Sequence, residues 1–101
     1  MKFLAVCSTG LGSSFMVHMN IDKVLKELGV SGIDVDHADL GSVARGDADA
    51  VFVGRDIAEA AENLGDLVVL NSIIDINELR TKVRATLERK GVTVPEVGVG
   101  A

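Results

Sequence analysis

No tryptophan and no tyrosine occur in this chain, and aromatic residues make up only 3% of its 101 positions. A core must therefore be assembled from Val, Leu, Ile and Ala, as in small α/β domains. Base stacking lacks residues, and so does phosphate neutralisation: 10 basic against 15 acidic side chains leave a formal charge of −5. A nucleic-acid partner is not expected. The single cysteine excludes an internal disulfide and points to a cytoplasmic protein. No apolar run approaches the roughly 20 residues of a membrane span. The one that follows Lys2 stops at Val6, too short for a signal peptide. What is present is 48% hydrophobic residues, enough for one core. We predict a single domain over 1–91 and a loose tail over 92–101, where the only proline, Pro95, stands.

Read in order, the chain alternates apolar strands with helical patterns. Lys2 to Val6 is a first strand, apolar on both faces as in a buried parallel sheet. A helix capped by Ser13 or Ser14 runs to about Leu28, with Phe15, Met16, Met19, Val24, Leu25 and Leu28 as its apolar stripe and Gly29 as its stop. Ile33 to Ala38 alternates as a second strand, and Asp49 to Val53 is a third. Asp56 to Leu64 reads as a full helix with Asp56 as N-cap, and Leu67 to Leu70 as a fourth strand. Asp75-Ile76-Asn77-Glu78 is a capping box opening a last helix to about Lys90, closed by Gly91. Four strands alternating with helices predict an α/β fold: a three-layer α/β/α arrangement with a four-stranded parallel sheet, flavodoxin-like, in the order 2-1-3-4. Its switch point lies between strands 1 and 3, and ligands bind beyond the carboxyl ends of the strands there. That places the end of strand 1 opposite Gly54-Arg55-Asp56.

Strand 1 delivers the only cysteine to that place, at the head of Cys7-Ser8-Thr9-Gly10-Leu11-Gly12-Ser13-Ser14. Strand, tight loop and helix N-terminus converge on a thiol. Unpaired N–H groups in such a loop attract anions, and a helix N-terminus favours the thiolate. A buried core cysteine closing a strand is the plainer alternative. The strand-end position and the two loop glycines favour a nucleophile that takes a phosphoryl group, with Ser8, Thr9, Gly10, Leu11, Gly12, Ser13 and Ser14 as its cradle. A dinucleotide loop is excluded because Phe15 stands where a third glycine is needed, and no Gly-Lys-Ser/Thr signals a Walker loop. The cysteine phosphatases use a cysteine, five residues, then Arg and a hydroxyl residue. Here the Arg position is Ser13 and the hydroxyl position Ser14, so the cradle is kept and the bidentate donor is lost.

This pattern resembles the IIB component of bacterial phosphoenolpyruvate-dependent sugar phosphotransferase systems. Cys7, Gly10-Leu11-Gly12-Ser13-Ser14 and Met19 look most like its ascorbate-type branch, with the lactose/cellobiose and galactitol types more distant. The resemblance spans about Lys2 to Lys90. It implies a phosphotransferase without metal or organic cofactor. A IIA phosphohistidine would supply Cys7, and Cys7 would supply a sugar held in a membrane IIC permease. Two other readings stand beside it: a low-molecular-weight phosphatase-like hydrolase, and a non-catalytic module that binds an anion.

Three further positions are given plain roles. Arg55 is read as a solvated loop charge, although it could reach a phosphate. Asp75 is read as a helix cap and not as a general acid. His18 and His37 lie far apart in the chain, with no ligand-spaced cluster, so no metal site is expected.

Overall fold

The computed structural model describes residues 1–7 and 13–94, with Ser13 described by its backbone alone. Its elements are β1 (Lys2–Cys7), α1 (Ser13–Leu28), β2 (Asp34–Asp39), β3 (Ala50–Gly54), β4 (Leu67–Leu70) and α2 (Ile76–Arg89), with short 3₁₀ turns at Leu40–Ser42 and Glu62–Leu64. The four strands form one parallel sheet in the order β2-β1-β3-β4, as the alternation of elements predicts. β1 occupies an interior position, with Phe3 opposite Val35 on one side and Ala50 on the other. Burial on both faces explains the unbroken apolar runs of β1 and β3. β2 lies at an edge and carries Asp34, Asp36, His37 and Asp39 on exposed positions.

The two faces of the sheet are covered differently. One packs Phe3, Ala5, Phe52 and Leu70 against Val17, Ile21 and Val24 of α1 and Leu79, Val83 and Leu87 of α2. The Phe3 and Phe52 rings meet there at 5.3 Å between centroids. The opposite face packs Leu4, Val6, Val51 and Val53 under Ile57, Ala61 and Leu64, with Leu40 and Val43 beside them. The segment over this second face corrects the expected helix at Asp56–Leu64. It is a chain of turns ending in the 3₁₀ turn, with Ile57, Ala58 and Leu64 each bonded three residues back. Apolar residues at 57, 58, 61 and 64 satisfy a three-residue and a 3.6-residue repeat equally, and so short a segment gains little from α-helix nucleation.

α1 follows its predicted bounds, but its inward stripe is Ser14, Val17, Ile21, Val24 and Leu25. Phe15 and Met19, expected inside, are 50% and 55% exposed. Both α-helices stop at a glycine with positive φ: Gly29 at 72° and Gly91 at 79°. After each, the next valine bonds back five residues, Val30 N–H to Leu25 O and Val92 N–H to Leu87 O, which is the Schellman closure. Val92 and Val94 still pack against the core beyond Gly91. Residues 95–101 of the expected tail lie outside the described residues.

α2 begins as an N-capped helix, with Asp75 Oδ1 accepting from the N–H groups of Asn77 and Glu78. The second half of the predicted capping box is redirected. Glu78 does not return to the Asp75 N–H, which bonds to Ser72 O. Its carboxylate instead accepts from the N–H of Asn71 at 2.8 Å and of Ser72 at 2.9 Å, and pairs with Lys82 at 2.9 Å. These bonds hold Glu78 well below the ordinary 4.5, at about 2, the Asn71 and Ser72 N–H groups contributing most. The loop that leaves β4 is thereby tied to α2.

Candidate functional site

The carboxyl ends of β1, β3 and β4 meet at one edge of the sheet, and a small cleft opens there. It is lined by Cys7 at the end of β1, Ser14 from the first turn of α1, Gly54 and Asp56 at the end of β3, and Leu70 and Ile73 after β4. This is the switch point between β1 and β3 that the strand order requires. Cys7 is half-buried and opposite Asp39 of β2 in register. Ser14 is almost fully buried, so the N-terminal turn of α1 is fixed against the cleft. That turn contains no acidic residue, so no carboxylate within it offsets the positive end of the helix.

Of the predicted cradle, Cys7 and Ser14 therefore share a cleft. Ser8, Thr9, Gly10, Leu11 and Gly12 lie outside the described residues, and Ser13 enters only as the first residue of α1. Asp75 is exposed at its cap and is not among the cleft's lining residues. Arg55 is exposed and lines an adjoining groove with Asn71, Ser72 and Ile74. The residue that sequence reasoning treated too simply is Asp56. Expected as a helix cap, it is a cleft carboxylate instead, folded back so that a Cβ on Gly54 would stand 2.6 Å from its Oδ1. The signal was its place two residues past a strand that runs parallel to β1.

The histidines are a clear correction. Nineteen residues apart in the chain, His18 and His37 meet ring to ring, with Nδ1 atoms 2.8 Å apart. α1 packs across β2, and its second turn brings His18 over the edge strand. Sequence separation alone carried the contrary expectation.

Among the described residues, no helix is long and apolar enough to cross a membrane. A comparison with curated proteins finds no match. Among solved structures, the fold is similar to the lactose-specific IIB component domain of the phosphoenolpyruvate:carbohydrate phosphotransferase system from Streptococcus pneumoniae, with a TM-score of 0.60 and 17% identity, covering 87% of this chain and 95% of that one. A family model described as the lactose/cellobiose-specific IIB subunit of the PTS system matches residues 2–89. With nearly the whole chain inside that match and a cysteine at the switch point of the matching fold, the protein belongs to the PTS IIB family, whose domains carry out phosphoryl transfer in sugar uptake.

Proposed function

We propose that Cys7 is the phosphoryl carrier of this IIB domain. The observation that carries the reading is the half-buried thiol sharing a cleft with the acid-free N-terminal turn of α1. A thiolate there is favoured by the helix end, and an anion formed on it meets the same field. In the first step, the Cys7 thiolate attacks the phosphorus of a IIA phosphohistidine. The S–P bond forms as the P–N bond breaks, and the imidazole keeps the electron pair. In the second, a sugar hydroxyl oxygen attacks the phosphorus, the S–P bond breaks, and the hydroxyl proton leaves to solvent or a nearby base. Ser8, Thr9, Gly10, Leu11, Gly12, Ser13 and Ser14 supply N–H and hydroxyl donors to the phosphocysteine, and no metal or organic cofactor enters either step.

The sugar we propose is ascorbate, held by a membrane IIC permease, with this domain on the cytoplasmic side. Support comes from Gly10-Leu11-Gly12-Ser13-Ser14 and Met19 in the sequence, while the matching family carries a lactose/cellobiose description. Phe15 and Met19, one turn apart and half exposed on the helix that borders the cleft, suit a surface on which IIA and IIC dock in turn. Hydrolysis is disfavoured by Ser13 in the arginine position and by Asp75 being held in its cap. Two incubations test the reading. Phosphorylated IIA should convert the protein to a lasting phosphoprotein, and an aryl phosphate should not be turned over. Steady turnover of the aryl phosphate would replace the carrier by a phosphatase, and phosphate binding without transfer from IIA would leave an anion-binding module.

A further inference from the structure

Beside the phosphoryl site, on the outer edge of the sheet, three side chains with metal-binding atoms converge. The Nδ1 atoms of His18 and His37 are 2.8 Å apart, the Asp36 carboxylate stands 3.8 Å from the His37 Nδ1, and one ligand atom from each of the three falls within 4.8 Å of the others. From this cluster we infer a site for a divalent transition-metal ion, with the Nδ1 atoms of His18 and His37 and the Asp36 carboxylate as ligands.

The surroundings of the two rings support it. On its far side, His18 Nε2 stands 3.2 Å from Asp22 Oδ2, one helical turn on. With the His18 proton placed on Nε2, toward that carboxylate, Nδ1 offers its lone pair inward. That lone pair faces His37, whose Nδ1–H supplies the hydrogen bond. A metal ion takes the place of this shared proton when His37 shifts its own proton from Nδ1 to Nε2, with no net release. Both nitrogens then offer lone pairs inward. Asp22 behind His18 is the outer carboxylate that characteristically orients a ligating imidazole. Phe15 packs edge-on against both rings, at 5.2 Å from His37 and 6.2 Å from His18, and shields one side. Two imidazoles and one carboxylate with a position left open suit Zn²⁺, Co²⁺, Ni²⁺ or Cu²⁺, and not the all-oxygen preference of Mg²⁺ or Ca²⁺. Zinc bonds of about 2.0–2.1 Å in a tetrahedron set the two nitrogens roughly 3.3 Å apart, so the rings must part by about half an ångström. His37 lies at the exposed edge strand, where such a shift meets little resistance. The ion fastens α1 to β2, and binding to the folded chain alone raises its melting temperature. None of this depends on the chemistry proposed for Cys7.

The test is calorimetric titration with Zn²⁺ of the Cys7→Ser chain, in which the thiol is removed as a competing ligand. One ion per chain is expected, unaffected by excess Mg²⁺. His18→Asn and His37→Asn should each weaken binding by at least about tenfold, the loss typical of even an outer-shell partner. Because a variant can unfold, ¹⁵N spectra of the imidazoles in the chain with both histidines intact give a second reading. Zinc should shift both Nδ1 resonances while both Nε2 atoms hold a proton. The inference is overturned by absence of saturable binding, by unchanged affinity in the His18→Asn, His37→Asn double variant, or by a zinc-dependent shift in neither ring or in only one.

Discussion

The Asp56 carboxylate lies over Gly54, so close that a Cβ added to that glycine would meet Oδ1 at 2.6 Å and Ile73 Cγ2 at 3.4 Å. The glycine at the end of β3 thus makes room for a negative charge on the wall of the Cys7 cleft. If the cleft takes a phosphoryl group as proposed, a carboxylate there opposes a second anion and would limit idle occupation by free phosphate.

It follows that Asp56→Asn binds inorganic phosphate more tightly, by roughly 1 kcal/mol or about fivefold, the size of one charge–charge repulsion in a solvated cleft. Gly54→Ala should move affinity the same way by turning the carboxylate aside. The flexible Asp56 side chain can give way, so the stability loss should stay near 1 kcal/mol, the cost of a poor rotamer. Phosphate titrations and urea denaturation check both, and unchanged affinity in the two variants would show that the carboxylate does not face the anion.

Glu78 makes the tie between the loop after β4 and α2 acid-sensitive. Its carboxyl is held at about 2 in the folded chain against an ordinary 4.5, mainly by the Asn71 and Ser72 N–H groups. A depressed folded value means that its stabilisation is fully present above about 4.5 and lost as pH falls towards 2. Glu78→Gln should therefore be less stable than wild type at pH 7, with the difference shrinking steadily on acidification through that window. Thermal denaturation at a series of pH values would show it, and a pH-independent difference would deny the ionised Glu78 this role.

Phe52 is 1% exposed in the middle of β3 and touches Phe3 across the sheet face under α1 and α2. In a chain of three phenylalanines it has few substitutes. Phe52→Ala should cost about 3–5 kcal/mol, a large share of the stability of a domain this size. Denaturant midpoints measure it, and a loss under about 1 kcal/mol would mean that the core refills the cavity.

Much of the architecture was legible because three strands are apolar on both faces, and the turn glycines and caps mark their ends. Parallel crossover chirality then leaves few strand orders. The end of β1, and with it Cys7, was legible for the same reason. Other features were hidden because they depend on packing. Val17 and Ile21 compete with Phe15 and Met19 for the inward face of α1, and apolar spacing alone chose the wrong pair. Glu78 has the right offset for a capping box, but the Asn71 and Ser72 N–H groups after β4 claim it. The meeting of His18 with His37 arises only when α1 lies across β2.

On the proposed reading, position 13 is where a carrier and a hydrolase part. In the proposed carrier, backbone and hydroxyl donors would hold the phosphoryl group about equally in ground and transition state, and uniform binding does not speed its loss to water. Ser13→Arg supplies a bidentate donor able to follow the shifting charge. It should raise release of phosphate from the phosphoprotein, modestly because Asp75 is committed to its cap. Single-turnover phosphate release measures this. A wild-type rate equal to that of the variant would remove Ser13 from the explanation.

The proposed transfer passes through one atom, the Cys7 sulfur. Peptide mapping by mass spectrometry after incubation with phosphorylated IIA tests it most directly. One phosphoryl group per chain is expected, on the peptide that holds Cys7, and none on the Cys7→Ser protein. A phosphoryl group on His18 or His37, or undiminished phosphorylation of the Cys7→Ser protein, would contradict it.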